Sequence, residues 1–161
     1  MENNKKLIVY FTYTNNTKKI AEDIKAKLNC DILEIKPVKP YDKDYDTVVR
    51  LEQNNETAKK TPDIEKIDID LNKYDEIILG SPVWWYTIAP VIRTFLKQND
   101  LSGKKIVPFA TNGGWIGRTF KEIRYLCPNS NVENEMNIVF EGSELSTPKK
   151  EVENWINSLL N

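Results

Sequence analysis

The stretch LIVYFTYTNNT, residues 7–17, decides the fold of this chain. Residues 7–11 form a short, continuous apolar run, which is typical of a strand buried on both faces of a parallel sheet. A polar loop, residues 12–17, comes next, and apolar residues then recur at helical spacing between positions 20 and 28. The order strand, polar loop, amphipathic helix predicts the first unit of an α/β fold.

The same alternation of strand and helix continues along the chain. An edge strand is predicted at 31–36, and helices are predicted after Pro90, near 117–126 and beyond 150. Pro108 is unexpected inside the strand predicted at 105–110, because proline has no N–H to donate to a neighbouring strand. Residues 37–73 are predicted as a loop with one weak helix around 44–59. Buried strands are predicted at 76–80, 105–110 and 136–140. We therefore expect one α/β domain over residues 1–161, with a five-stranded parallel sheet in the order 2-1-3-4-5 between two layers of helices.

Composition excludes several classes of function. The formal net charge of −1 gives no positive field that would attract a nucleic acid. The sequence contains no histidine, which excludes Ser-His-Asp catalysis, Cys-His catalysis and a zinc site with histidine ligands. Cys30 and Cys127 show no metal-ligand spacing and are expected to be reduced. The first residues resemble neither a signal peptide nor a membrane span, so a cytoplasmic protein without a membrane partner is expected. If the chain is an enzyme, a cofactor should supply the reactivity.

Function is expected where the parallel strands end, because open α/β sheets bind ligands at that edge, at the switch point of strand order. The loop 12–17 directly precedes a helix N-terminus, where backbone N–H groups and the helix dipole favour an anion. The hydroxyls of Thr12, Thr14 and Thr17 and the Asn16 amide would add donors around a phosphate. A plain helix-capping loop is the alternative.

Two further loops follow neighbouring strands of the predicted sheet. In the loop 81–87, Trp84 and Trp85 cannot both point into one small core, so at least one should face the cleft and favour a planar ligand. The alternative is that both pack beneath neighbouring helices. The loop 111–114 contains paired glycines, which let the backbone approach a ligand, although Gly-Gly also makes ordinary turns.

Competing α/β families lack their motifs here. The sequence contains no Gly-x-x-x-x-Gly-Lys-Ser/Thr, and no Gly-x-Gly-x-x-Gly follows the first strand. A phosphoacceptor receiver domain needs acidic residues at these strand ends, where this chain has Thr12 and Ser81.

The three loops together resemble those of the flavodoxin family, over essentially the whole chain. Residues 10–17, YFTYTNNT, are similar to the family's Thr/Ser-x-Thr-Gly-Asn-Thr phosphate loop, with Asn15 in place of the usual glycine. Asparagine tolerates left-handed backbone angles, so the loop can keep its shape. Residues 80–85, GSPVWW, resemble a Gly-x-Pro-x-Trp segment that borders the flavin ring in one branch of the family. Residues 109–114, FATNGG, resemble that branch's loop at the pyrimidine edge.

This resemblance implies a three-layer flavodoxin-like fold, non-covalent FMN as the cofactor and redox chemistry at the flavin, with no metal. The cofactor-binding residues that it implies are Thr12, Tyr13, Thr14, Asn15, Asn16, Thr17, Ser81, Pro82, Val83, Trp84, Trp85, Thr111, Asn112, Gly113 and Gly114.

Three functions remain open. The first is an electron-transfer flavodoxin that docks to a redox partner protein. The second is an NAD(P)H-dependent quinone or flavin reductase, in which Trp84, Trp85 and Tyr86 would wall a small-molecule pocket. This alternative stays open because family members dedicated to low-potential electron transfer are commonly strongly acidic, and this chain is not. The third is a non-redox module whose aromatic loop binds another protein.

Overall fold

The computed structural model describes residues 5–52 and 59–160. One sheet contains the strands in the order β2-β1-β3-β5-β7-β8, with β4 on β3 and β6 on β5. Its main strands are β1 (Lys6–Tyr10), β2 (Asp31–Glu34), β3 (Glu76–Trp84), β5 (Lys105–Asn112) and β7 (Met136–Glu141). Its short strands are β4 (Thr87–Ile88), β6 (Asn131–Val132) and β8 (Glu144–Leu145), and the helices are α1 (Asn16–Leu28), α2 (Tyr45–Glu52), α3 (Pro90–Gln98), α4 (Thr119–Leu126) and α5 (Lys149–Ser158).

The main strands are all parallel, and their order confirms the α/β class and the predicted order 2-1-3-4-5. The prediction of only five strands was too low. The additional strands β4 and β8 are antiparallel and fold back on β3 and β7, while β6 extends the edge of β5 in parallel. Each has two residues, too few to produce a periodic pattern in the sequence.

Helices cover both faces of the sheet because successive strand residues point to opposite sides. In β1, Leu7 and Val9 belong to one core cluster, together with residues of α3 and α4. Ile8 lies in the other cluster, with residues of α1 and α5. All three side chains are fully buried, as the apolar run at 7–11 predicts.

Pro108 lies in β5 at a position where the ladder is interrupted on one side. It pairs with Leu79 of β3. On the opposite side, β6 pairs with residues 105–106 and β7 pairs with residues 109–112, so Pro108 falls between the two. The missing N–H of proline is therefore tolerated inside this strand.

Several predicted boundaries were wrong. Residues 81–84 were expected in a loop, but β3 continues through Trp84 and returns by a tight turn into β4. The edge strand was expected to reach position 36 but ends at Glu34. The weak helix expected around 44–59 is present as Tyr45–Glu52, and positions 53–58 lie outside the described residues.

The amino-terminal edge of the sheet carries a buried ionic cluster. Lys6, Glu76 and Lys105 are register partners at the starts of β1, β3 and β5. Lys6 Nζ donates to Glu76 Oε1 at 3.4 Å, and Lys105 Nζ lies 3.9 Å from the same oxygen. Glu76 is 1% exposed, and within the described residues its Oε2 has no hydrogen-bond partner, so both ammonium groups approach the same oxygen.

Candidate functional site

A cavity of about 560 Å³ opens at the carboxyl-terminal edge of the sheet, where the three predicted loops meet. Ligand pockets typically measure roughly 300–1,000 Å³. The predicted site residues that line the cavity are Tyr13, Thr14, Asn16, Pro82, Val83, Trp84, Trp85, Thr111, Asn112 and Gly113. Thr12, Asn15, Thr17, Ser81 and Gly114 are not in its wall, although each adjoins a residue that is.

The first loop turns into α1 through a left-handed residue. Asn15 is the N-cap of α1, with φ 74° and ψ 1°, a conformation that glycine and asparagine tolerate best. The Asn15 side chain makes no capping hydrogen bond, and the first turn of α1 contains no acidic residue. The helix therefore presents its positive end to the cavity without a negative side chain to neutralise it.

Three of the four side chains expected around a phosphate also have partners within the protein. The hydroxyls of Thr17 and Thr111 are hydrogen bonded at 2.7 Å, and both residues are buried. Thr12 Oγ1 accepts the Lys18 N–H at 3.3 Å, so that hydroxyl still has its own proton to donate. Asn16 Nδ2 donates to the Gly142 carbonyl at 2.8 Å. These bonds tie the first loop to β5 and to the turn after β7.

Trp84 belongs to an aromatic cluster at the cavity wall. Its ring centroid lies 4.8 Å from that of Tyr41 and 5.7 Å from those of Phe11 and Tyr13, all in edge-to-face arrangements. The Tyr13 hydroxyl donates to the Asp42 carbonyl at 2.6 Å. Trp84 is therefore held by neighbouring rings while it lines the cavity, which makes it a fixed wall for a flat ligand.

Trp85 and Tyr86 form the turn between β3 and β4, with φ values of 54° and 65°. Two positive φ angles at the centre of a two-residue loop are what a type I′ hairpin turn requires. Trp85 lines the cavity, while Tyr86 is exposed and packs against Trp115 with ring centroids 4.9 Å apart. At least one tryptophan was expected to face the cleft, and both line it.

The third loop is held by one amide side chain. Asn112 Oδ1 accepts the Gly114 N–H at 2.9 Å, while its Nδ2 donates to Asn137 Oδ1 at 2.6 Å. A Cβ added at Gly113 or Gly114 would meet no atom within 4 Å. The protein's own packing therefore does not require these glycines to be small, and the backbone is open to a ligand from outside.

Ser81 acts within the protein framework. Its Oγ accepts the Ala89 N–H at 3.0 Å and donates to the Pro82 carbonyl at 2.8 Å. Because Ala89 is the N-cap of α3, this hydroxyl fixes the start of that helix relative to β3.

The cavity has further walls that the sequence analysis missed. The turn after β7 could have been identified by the rule used for the other loops, since it follows the fifth parallel strand. Helix α2 could not, because it lies in the long connection between β2 and β3, which lacks a clear periodic pattern. The missed lining residues are Tyr45, Val48, Val49 and Glu52 of α2, Phe140 of β7, and Gly142 and Ser143 after it.

The electrostatics of the site suit an aromatic ligand with a terminal anion. Glu52 is the only acidic lining residue among those described, and Lys60 Nζ lies 3.3 Å from its Oε2. Burial raises the pKa of Tyr41 to about 12. Burial, followed by the charges of Asp42 and Asp44, also raises the pKa of Tyr13. Both phenols are therefore neutral at pH 7 and add no negative charge near the mouth of the cavity.

Other kinds of site find little support in the part of the chain that is described. Over residues 5–52 and 59–160, no three His, Cys, Asp or Glu side chains group as a metal site would need. Both cysteines are free thiols, and burial raises the pKa of Cys127 to about 11. None of the helices in these ranges has the length and apolar character that a bilayer span requires.

Comparison with known proteins gives one consistent result. The family model described as Flavodoxin matches residues 5–159. A candidate flavoprotein from Bacteroides eggerthii is 28% identical, with 99% of each chain covered and a TM-score of 0.79. A flavoprotein from Lactobacillus acidophilus, solved in complex with FMN, is 26% identical, with 95% of this chain and 99% of that chain covered and a TM-score of 0.74. No curated protein matched. The chain belongs to the flavodoxin family.

Proposed function

We propose that this chain binds one FMN non-covalently in the cavity at the carboxyl-terminal edge and carries electrons through it. One observation carries the proposal: the cavity wall combines the start of a helix whose first turn has no acidic residue with two tryptophan side chains. FMN has the matching shape, with a phosphate dianion at one end and a flat heterocycle at the other. The Lactobacillus acidophilus relative, solved with FMN, supports the same cofactor.

Different parts of the chain would bind the phosphate, the face and the edge of the cofactor. The start of α1, with the hydroxyls of Thr12 and Thr14, would hold the phosphate through charge-assisted hydrogen bonds. Trp84 and Trp85 would cover the ring and exclude water from it. The uncovered backbone at Gly113 and Gly114 would hydrogen-bond the polar edge of the ring. When bound, FMN supplies reversible electron uptake, and the protein supplies placement and electrostatics.

We propose a redox partner protein as the source or acceptor of these electrons, in a cytoplasmic setting. The direct test is to purify the protein, record its visible absorption, follow photoreduction, and measure NAD(P)H consumption with a quinone present. A yellow protein that is photoreduced and then reoxidised by an electron-accepting protein, without consuming NAD(P)H, supports the electron carrier. A colourless preparation that ignores added FMN contradicts it and leaves the non-redox module.

A second candidate is an NAD(P)H-dependent quinone or flavin reductase. Tyr86 and Trp115 favour it, because they are 58% and 68% exposed and form a ring pair beside Trp85. Exposed aromatic rings next to a ligand cavity offer a stacking surface to a second planar molecule. Rapid NAD(P)H turnover with a quinone, lost in Tyr86→Ala and retained in Tyr125→Ala, would favour the reductase over the electron carrier.

A further inference from the structure

The turn between β3 and β4 is strained at two bulky residues. Trp85 and Tyr86 have φ values of 54° and 65°, in the left-handed region that aromatic side chains rarely adopt. Hairpin turns of this kind normally contain asparagine, aspartate or glycine. Such strain persists only when neighbouring structure holds the backbone in place, and it concentrates at functional sites.

The segment between β5 and α4 provides that hold through two contacts. The Tyr86 carbonyl accepts the Arg118 N–H at 2.6 Å. The side chains of Tyr86 and Trp115 are also in contact, with their ring centroids 4.9 Å apart. We call this pair of contacts the turn clamp.

Gly117 is what allows the turn clamp to close. A Cβ built on Gly117 would lie 2.2 Å from the Tyr86 carbonyl oxygen and 2.7 Å from the carbonyl carbon. Both atoms are backbone, so they cannot move aside as the end of a flexible side chain could. Any larger residue at position 117 must push the turn away from the segment that holds it.

We propose that Gly117 is a positioning residue, whose missing side chain lets the turn clamp fix Trp85 in the wall of the FMN cavity. Trp85 lines the cavity and precedes Tyr86 in the same turn, so a displaced Tyr86 carbonyl moves the Trp85 backbone with it. The clamp also joins the loop after β3 to the segment after β5, two of the three parts of the site. This inference rests on the proposed FMN binding.

The test compares Gly117→Ala with Gly103→Ala. Both glycines have a positive φ, +53° at Gly117 and +80° at Gly103, but a Cβ at Gly103 would meet no atom within 4 Å. Gly103 lies just before β5, at the edge of the sheet opposite the cavity. The two variants therefore share the backbone strain of alanine in this region, and only Gly117→Ala opens the turn clamp.

Three quantities are measured for each variant: the dissociation constant of FMN, the hydrogen exchange rate of the Arg118 amide without FMN, and the urea midpoint of the apoprotein. In Gly117→Ala we expect at least about tenfold weaker FMN binding, equivalent to about 1.4 kcal/mol. The Arg118 amide of Gly117→Ala should also exchange its hydrogen faster. The urea midpoint of the Gly117→Ala apoprotein should be close to that of Gly103→Ala. In Gly103→Ala, FMN affinity and Arg118 exchange should remain at the wild-type level. If Gly117→Ala does not fold, Trp115→Ala replaces it, with the same changes expected at smaller size.

The outcomes separate this inference from the proposed function. Weaker FMN binding together with faster Arg118 exchange supports the turn clamp. Wild-type FMN affinity in Gly117→Ala overturns the clamp and leaves FMN binding intact. Failure of the wild-type protein to bind FMN contradicts the proposed function and, with it, the role assigned to Gly117.

Discussion

The three central strands of the parallel sheet, β1, β3 and β5, begin with charged residues at one edge and end with uncharged ones at the other. At the amino-terminal edge, Lys6 and Lys105 flank Glu76, whose buried Oε1 lies 3.4 and 3.9 Å from their ammonium nitrogens. At the carboxyl-terminal edge, hydroxyl, amide and aromatic side chains surround a cavity of about 560 Å³. One edge is occupied by the chain's own ion pairs, while the other has hydroxyl donors and an open cavity. The difference indicates that stability and ligand binding are separated along the strands, and the two can be disturbed independently.

The largest effect is expected at the charged edge. Glu76→Gln should lower the free energy of unfolding by about 3 kcal/mol, because it removes the buried carboxylate that lies within 4 Å of both the Lys6 and the Lys105 ammonium groups. FMN affinity should remain unchanged, since the substitution is at the opposite edge from the cavity. Urea unfolding and an FMN titration measure the two quantities, with the exposed Glu65→Gln as control. Weaker FMN binding in a folded Glu76→Gln would show that the edges are coupled.

A substitution at Trp84 tests how strongly FMN binding depends on the carboxyl-terminal edge of the sheet. Trp84→Ala should weaken FMN binding by about 1–3 kcal/mol, the scale of a lost buried aromatic contact. Some stability should also be lost, because the Tyr41 and Phe11 rings lose their partner. Tyr125→Ala, at a side chain that is 82% exposed, provides the aromatic control. A dissociation constant for FMN equal to the wild-type value would remove Trp84 from the site.

Two threonines of one loop should separate binding from stability. Thr17→Val breaks the buried bond to the Thr111 hydroxyl and should cost about 1 kcal/mol of unfolding free energy. Thr14 is exposed and lines the cavity, so Thr14→Val should weaken FMN binding by a similar amount and leave the urea midpoint unchanged. Identical profiles for the two variants would mean that the loop does not divide these roles.

Alkaline pH should destabilise the protein through tyrosines at both edges. A hydrogen bond to Asp31 raises the pKa of Tyr74 to about 12, and burial raises that of Tyr41 to about 12. The folded-state pKa of each tyrosine exceeds the unfolded value of about 10. Each neutral phenol therefore contributes its full stabilisation to the folded state below pH 10, and that stabilisation is lost as pH rises toward 12. Urea midpoints at pH 8 and pH 11 measure the loss. It should be smaller in Tyr74→Phe, and an equal loss there would contradict the role of Tyr74.

The sequence predicted the parallel sheet because apolar runs such as residues 7–11 can be read locally. It also predicted where three loops would meet, since the ends of parallel strands share one edge. The position of α2 at the cavity could not be predicted, because it depends on how a long connection packs against Trp84. The turn at Trp85 and Tyr86 was also missed, since aromatic residues rarely adopt positive φ angles and the Arg118 N–H that bonds the Tyr86 carbonyl is more than thirty positions away.

The central claim is that the start of α1 binds a phosphate while the tryptophans cover a flat ring. The most direct measurement compares the affinities of the apoprotein for FMN and for riboflavin, which has the same ring without the phosphate. We predict one FMN per chain, bound at least about a hundredfold more tightly than riboflavin, or about 2.8 kcal/mol. Equal affinities would contradict the phosphate site, and no binding of either compound would contradict the account as a whole.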